Sequence, residues 1–187
     1  MLEKLLQLDH DLFKFFNGLG SEQYDPFWLY ITQQIHWIPF FLLLFYLIYK
    51  KIGGKQTLYL LFFIAILIAF TDQLTNVFKN GFERLRPCNN PNLGPNIRKV
   101  LIRDSYSFFS GHASNTSAVA TLLYLIMKKH YKYFWQIFFW PLVFGYSRIY
   151  LGLHFPSDIL FGYFMGALTG FGCYKLYRLA QQKYFPG

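Results

Sequence analysis

The sequence predicts an all-α bundle whose helices cross a membrane several times. Hydrophobic residues make up 54% of the 187 residues and charged residues only 14%, whereas a soluble domain carries about 25% charged residues. Aromatic residues reach 22%, as is typical of membrane proteins with aromatic belts at the interface. Several apolar stretches approach the ~20 residues that span a bilayer. We therefore expect one membrane-embedded domain over residues 1–187.

The first 20 residues are predicted to form an amphipathic helix that lies in the membrane interface. Their leucines and phenylalanines cluster toward one helical face, and the polar residues lie mostly on another. The segment lacks the basic start, the long apolar run and the small-residue cleavage site of a signal peptide. The alternative is that this helix forms a sixth membrane span.

Five later stretches are predicted to be transmembrane helices. They cover residues 27–49, 58–76, 112–127, 133–150 and 158–177. The third opens with polar residues and the fourth ends with them, so we expect these ends to face a shared aqueous cavity. In the fifth, Gly162, Gly166 and Gly170 recur every four residues, a spacing that favours close packing against another helix of the chain.

The distribution of charge predicts the orientation. If the five segments alternate across the bilayer, the loops at 50–55 and 128–132 share one side with the C-terminal tail. That side carries nine of the 18 basic residues and none of the nine acidic ones. Because basic loops favour the cytoplasmic side, we expect the long polar loop at 80–109 to face outward. The net charge of +9 flanks membrane segments, so nucleic-acid binding is not expected.

Three polar clusters lie at the outer ends of the last four predicted helices. They are KNGFERLRP at 79–87, SFFSGH at 107–112 and SRIYLGLHFPSD at 147–158. Together they supply cations, two histidines, a carboxylate and a helix start. Phosphoryl transfer needs this set, because its transition state spreads negative charge over three oxygens.

Positively charged side chains are the first predicted component of a phosphate site. Arg86 and Arg148 are expected to hold phosphate oxygens through forked hydrogen bonds, and Lys79 adds a point charge. An unpaired arginine among apolar residues, such as Arg148, is usually functional. The other basic residues of this side are interpreted as charges that face lipid headgroups: Arg84, Arg98, Lys99 and Arg103.

The second cluster predicts an anion site at a helix start. Ser110 is a good N-cap residue, and the first turn of a helix offers free backbone N–H groups. Gly111 allows a ligand to approach the backbone closely, and His112 then lies in the first turn. The alternative is a capping motif without further function.

The third cluster places His154 four residues before Asp158. If Asp158 opens the fifth helix, its carboxylate can contact one imidazole nitrogen and leave the other free to attack. The alternative is that Asp158 or Ser157 only caps the helix and that His154 is an interfacial residue. Asp72 and Asn76 lie in the second span and are expected to support the cations, since an acid inside a membrane is usually paired or functional.

In combination, these motifs resemble the type-2 phosphatidic acid phosphatases, a superfamily that also includes vanadium haloperoxidases and bacterial acid phosphatases. Lys79 to Arg86-Pro87 fits the first family motif in full, and Ser147-Arg148 to His154 to Asp158 fits the third. The second motif departs at Phe109, where the family usually has proline. This change affects the loop rather than a reacting group.

The resemblance implies a role for each motif residue. His154 would be the nucleophile that forms a phosphohistidine, Asp158 would orient it, and His112 would act as acid and then as base. The phosphoryl oxygens would be held by Lys79, Arg86, Ser110, Gly111 and Arg148. No metal or other cofactor is expected, because the cations supply the electrostatic stabilisation.

The resemblance also implies a multi-pass protein of the bacterial inner membrane, with its site toward the periplasm or the exterior. The expected partners are the bilayer and a lipid substrate: phosphatidate, phosphatidylglycerophosphate, undecaprenyl diphosphate or the lipid A phosphate. The alternatives are a lipid phosphotransferase that uses the same site and a haem-binding membrane protein with His112 and His154 as ligands. A catalytically silent relative is disfavoured by the intact motif residues. The oligomeric state is not predicted.

Overall fold

The computed structural model describes residues 2–184, and this part of the chain is helical without a β-strand. The α-helices are α1 (Leu2–Gly18), α2 (Asp25–Ile31), α3 (Ile38–Phe82), α4 (Gly111–Met127), α5 (Phe139–Tyr150) and α6 (Pro156–Tyr184). Short 3-10 turns lie at Glu22–Tyr24, Gln34–Trp37, Pro87–Asn89, Pro91–Leu93 and Phe134–Phe138. The predicted all-α class is confirmed.

The long helix α3 contains two arms that meet at Gly53. This glycine has φ 76° and ψ 169°, a backbone conformation that residues with a Cβ rarely adopt. Leu44 and Ile48, before the break, line the same cavity as Leu60 and Ile64, after it. The arms therefore run side by side in opposite directions, with the turn inside the loop predicted at 50–55.

The prediction of one continuous span at 27–49 is wrong. Helix α2 ends at Ile31, Gln33 is extended (φ −89°, ψ 121°), and α3 begins only at Ile38. The Trp37 indole Nε1 donates to the Ile31 carbonyl across the break, at 2.8 Å. Pro39 lies in the first turn of α3, where its missing N–H leaves no hydrogen bond unmade.

The remaining predicted helices shift at their ends. α4 begins one residue before the predicted start, α5 begins at Phe139 because Phe134–Phe138 form a 3-10 turn, and α6 runs beyond its predicted bounds to Tyr184. By length and composition, two helical stretches of the described residues could cross a membrane: Gln34–Leu93 and Pro156–Lys183. An 18-residue window within each has a mean hydropathy of 1.9 and 1.2, respectively. The number of spans stays a prediction.

Helices α4 and α6 pack together at the centre of the bundle. A Cβ added at Gly166 would lie 2.3 Å from the Ser114 carbonyl oxygen, and one at Gly170 would lie 2.4 Å from that of Ala118. The predicted glycine spacing therefore serves packing inside the chain. This close approach holds the N-terminus of α4 against the start of α6, and the Ser110 N–H donates to the Asp158 carbonyl at 3.1 Å.

Helix α1 lies across one end of the bundle. Asp9, Phe13 and Asn17 are buried on one of its faces, and the Asn17 amide donates to the carbonyls of Ile149 and Tyr150 at 3.2 and 3.0 Å. The leucines and Phe15 of α1 that point away from the bundle are exposed. The amphipathic helix expected at the N-terminus is therefore present.

The two ends of the bundle differ in chemistry. At one end a cavity of about 170 Å³ is lined by Lys51, Lys129, His130 and Arg178. The two short basic loops and the C-terminal tail thus meet at one end, as the alternating arrangement predicts. The three polar clusters lie at the other end, which we call the site end.

Replacing Gly166 by alanine is expected to destabilise the fold, because the new methyl group would collide with backbone of α4. Overpacking of this kind costs about 1–3 kcal/mol, so the midpoint of thermal unfolding in detergent should fall by several degrees. Gly172→Ala is the matched control, since an added Cβ there meets nothing within 4 Å. Equal midpoints for the two variants would contradict the assigned α4–α6 contact.

Candidate active site

The site end brings together residues from five parts of the chain. Lys79 lies near the C-terminal end of α3, Arg86 in the loop that follows, Arg148 in the last turn of α5 and His154 in the link between α5 and α6. Asp158 lies in the first turn of α6. Arg86, Arg148, His154 and Asp158 are all buried, with exposed fractions between 0 and 3%.

The His154 imidazole lies between Arg86 and Asp158. Nη1 of Arg86 lies 2.9 Å from Nε2 of the ring. Because a guanidinium can only donate, Nε2 must accept, and the ring proton is assigned to Nδ1. Nδ1 faces Oδ2 of Asp158 at 3.4 Å, a contact of the kind that tightens when a substrate binds. In this tautomer the unprotonated nitrogen points toward the arginine.

The charge state of His154 follows from its surroundings. Burial, together with the positive charges of Arg86, Arg148 and Lys79, holds the pKa of the imidazole well below its ordinary value. Only the cationic form is disfavoured by these effects. The ring is therefore neutral at neutral pH, as an attacking nitrogen must be.

Two hydrogen-bond donors fix the carboxylate of Asp158. Its Oδ2 accepts from the backbone N–H of Phe155 at 2.9 Å, and its Oδ1 accepts from Nη1 of Arg84 at 2.7 Å. Arg84 also donates to Asp9 of α1 at 2.6 Å and lies over the Phe155 ring, 4.1 Å from its centroid. The interpretation of Arg84 as a charge that faces lipid headgroups is wrong, because it pairs with the acid beside His154.

Arg86 is oriented by the polar loop. Its Nε donates to the Ser105 carbonyl at 2.7 Å, its Nη2 donates to the Ser105 hydroxyl at 2.9 Å, and its Nη1 donates to the Leu153 carbonyl at 2.9 Å. These bonds fix the plane of the guanidinium against His154. Ser105 is a residue that the sequence did not single out.

Arg148 reaches across to α2. Its Nη1 donates to the hydroxyl of Thr32, the C-cap residue directly after α2, at 2.5 Å. Arg98, which was also interpreted as a headgroup charge, instead pairs with Asp25 of α2 at 2.5 Å. The short helix α2 therefore contributes to the site end through its contacts with two arginines.

A second group of predicted residues, which includes His112, lines a polar cavity of about 180 Å³ at the site end. The cavity is lined by Gln34, Asp72, Thr75, Asn76, Lys79, Gly111, His112 and Asn115. The His112 ring stacks on Phe144, with centroids 5.4 Å apart. The Ser110 hydroxyl accepts from the Ala113 N–H at 3.4 Å, so the predicted N-cap is present.

The departure at Phe109 leaves this capped helix start in place. Phe109 is fully buried and packs against Phe78 and Phe161, with centroids 5.2 and 5.5 Å apart. Aromatic packing here fills the position where the family usually has proline.

An apolar cleft continues from the polar cavity into the bundle. Gln34 and Asn115 line both the polar cavity and a neighbouring cavity of about 170 Å³. Phe41 and Val119 line that neighbour and also a third cavity of about 240 Å³ between the arms of α3. The polar cavity thus adjoins two apolar cavities lined by side chains of the membrane-spanning region.

One pattern in the sequence indicates that the first helix contacts this site, although it did not enter the prediction. Asp9, Phe13 and Asn17 recur every four residues in the first helix, which places them on one face. A polar pair on either side of a phenylalanine indicated a face that contacts protein. Asp9 accepts from both the backbone N–H and the hydroxyl of Ser157 in the structure.

The chain is similar to several known proteins. The sequence profile of the PAP2 superfamily matches residues 56–182. A lipid A 4'-phosphatase of Bacteroides thetaiotaomicron is 33% identical, over 97% of this chain and 81% of that protein. A lipid A 4'-phosphatase of Porphyromonas gingivalis is 30% identical, over 98% of this chain and 78% of that protein.

A similar fold is found in a crystal structure of a transmembrane PAP2-type phosphatidylglycerolphosphate phosphatase from Bacillus subtilis. Its TM-score is 0.70 at 20% identity, covering 97% of this chain and 88% of that chain. The family match, the named relatives and this shared fold confirm the resemblance seen in the motifs. The chain belongs to the PAP2 superfamily and is a membrane lipid phosphatase.

Proposed function

We propose that this phosphatase hydrolyses a lipid phosphate or diphosphate through a phosphohistidine on His154, without a metal ion. The observation that carries the proposal is the hydrogen bond from Arg86 to Nε2 of His154, with Nδ1 facing Asp158. A phosphate oxygen that replaces Nε2 as the acceptor of the Arg86 hydrogen bond leaves the Nε2 lone pair free to attack phosphorus. Asp158 then stabilises the positive ring that forms on attack.

The reaction proceeds in two transfers. Nε2 attacks phosphorus, the bond from phosphorus to the leaving oxygen breaks, and His112 gives its proton to that oxygen. Water then attacks the phosphohistidine, His112 takes up a proton from the water, and the phosphorus–nitrogen bond breaks. Lys79, Arg86, Arg148 and the helix start at Ser110 and Gly111 stabilise the charge on the equatorial oxygens.

Among the expected substrates, the lipid A 4'-phosphate is favoured. Two relatives named lipid A 4'-phosphatase align over nearly the whole of this chain. The apolar cleft supports a lipid substrate, because it joins the polar cavity at Gln34 and Asn115. An acyl chain can lie in the cleft while the phosphate reaches the site end.

We also propose five membrane spans in a bacterial inner membrane, with the site end toward the periplasm or the exterior. The basic loops that meet at the opposite end support this orientation. Helix α1 contacts Ser157 through Asp9 and the last turn of α5 through Asn17. Both contacts lie at the site end, which favours an interfacial helix over a sixth span.

Haem ligation by the two histidines is disfavoured by the geometry. The His154 ring is only 1% exposed and lies between Arg86 and Asp158, whereas a haem ligand needs an open face toward the porphyrin.

Replacing His154 by alanine is expected to abolish turnover, because no other group would attack phosphorus. The rate should fall by about 10⁴-fold or more, measured as phosphate released from lipid A in detergent. Rapid quenching with labelled substrate should trap an acid-labile, alkali-stable phosphoenzyme in the unaltered protein only. His130→Ala, at the opposite end of the bundle, is the control. A labelled His154→Ala enzyme would remove this residue as the nucleophile.

Chelation is expected to leave the rate unchanged, because arginine and lysine side chains supply the positive charge at the site. The measurement compares phosphate release before and after dialysis against EDTA, in excess detergent so that the state of the lipid does not change. A loss of activity that a divalent ion restores would overturn the metal-free mechanism.

A substrate panel tests the choice of lipid. Phosphate release should be fastest with lipid A, compared at equal surface concentration with phosphatidate, phosphatidylglycerophosphate and undecaprenyl diphosphate. Adding a lipid alcohol tests the phosphotransferase alternative. Transfer of label to that alcohol with little free phosphate would replace hydrolysis as the proposed activity.

A further inference from the structure

We propose that the polar cavity beside His112 binds the leaving group, and that Asp72 makes it select monophosphates of uncharged, hydroxyl-rich headgroups such as sugars over diphosphates. This inference rests on the proposed function and specifies the substrate of that site. It assigns Asp72 a role in specificity, beyond the support of cations that the sequence suggested.

The position of the leaving group follows from the two histidines. Attacking and leaving atoms lie roughly in line on opposite sides of phosphorus. His154 is buried behind Arg86, whereas His112 lines the polar cavity. An acid must lie within hydrogen-bond reach of the oxygen that it protonates. The alcohol that leaves must therefore occupy the cavity.

Asp72 lies on the path that this group takes. Residues 72, 76 and 79 of α3 share the wall of the cavity, and seven residues of helix correspond to about 10 Å. Lys79 lies close to the transferred phosphoryl group, with its charge acting on His154. A leaving group that extends past Lys79 into the bundle then meets Asn76 and Asp72.

The polar side chains that line the cavity can form hydrogen bonds with hydroxyl and amide groups of a ligand. The Asn115 amide donates to Oδ1 of Asp72 at 2.7 Å and is itself held by the Thr71 hydroxyl. A carboxylate has sites for about four hydrogen bonds, so Asp72 can accept more from a ligand. Gln34 and Asn76 can both donate and accept. The volume of about 180 Å³ lies below that of pockets for drug-sized ligands and suits one ring-sized group.

Charge separates the two substrate classes. When a monophosphate ester of a sugar is cleaved, the group in the cavity is an uncharged alcohol. When a diphosphate is cleaved, that group carries a second phosphate, and its negative charge enters the cavity that the carboxylate of Asp72 also lines. Like charges that face one cavity repel each other, and such repulsion is a common source of specificity.

The test compares Asp72→Asn with the unaltered full chain in detergent. The measured quantity is kcat/KM for lipid A and for undecaprenyl diphosphate. Asparagine can still accept from Asn115, so the fold should be kept. We expect the ratio of the two values to shift at least about tenfold toward the diphosphate. Glu22→Gln removes an exposed carboxylate outside the cavity and should leave the ratio unchanged.

The possible results separate this inference from the proposed function. If the unaltered enzyme hydrolyses either lipid and Asp72→Asn changes both values equally, Asp72 only supports the structure and the inference is wrong. If the unaltered enzyme hydrolyses neither, the proposed function fails as well.

A second measurement needs no variant. Inhibition of the unaltered enzyme by inorganic phosphate and by pyrophosphate is compared. If Asp72 repels a second phosphate in the cavity, the inhibition constant of pyrophosphate should be no lower than that of inorganic phosphate. Tighter binding of pyrophosphate by tenfold or more would overturn the inference, even if Asp72→Asn failed to fold.

Discussion

A negative charge removed from water at the start of α6 determines how the site end is built. Asp158 is fully buried, and an isolated carboxylate in such a place costs several kcal/mol. The backbone N–H of Phe155 and the guanidinium of Arg84 compensate that charge. Arg84 is in turn shared with Asp9 of α1. The acid next to His154 is therefore held by the N-terminal helix, the loop after α3 and the turn before α6 together.

Buried positive charge also lies around His154. Arg86 and Arg148 are both buried, and each is held mainly by carbonyl or hydroxyl oxygens, from Ser105, Leu153 and Thr32, rather than by an acid. Neutral partners fix the direction of a guanidinium without cancelling its charge. A doubly charged phosphate entering the site end would supply the missing anion. This is a physical reason for the proposed catalysis without metal ions.

Much of this architecture was predictable from local patterns. Apolar run lengths predicted most helices, and the motif resemblance predicted that Arg86 and Asp158 accompany His154. The glycine spacing predicted close packing inside the chain, but only the structure identifies α4 as the partner of α6. The break before Ile38 was missed because a hydropathy run does not register a polar interruption as short as Thr32–Gln34. Arg84 and Ser105 were missed for another reason. Their partners lie 74 and 19 residues away, and no periodic pattern connects such pairs.

The contact between Asp9 and Ser157 joins residues 148 positions apart. During synthesis, the segment with His154 and Asp158 emerges long after Asp9 and Arg84 have been made. Until then Arg84 can pair with Asp9 but has no Asp158 to meet. The site end is therefore completed only when the start of α6 has been made, so an insertion intermediate that lacks α6 also lacks the proposed nucleophile in its final setting.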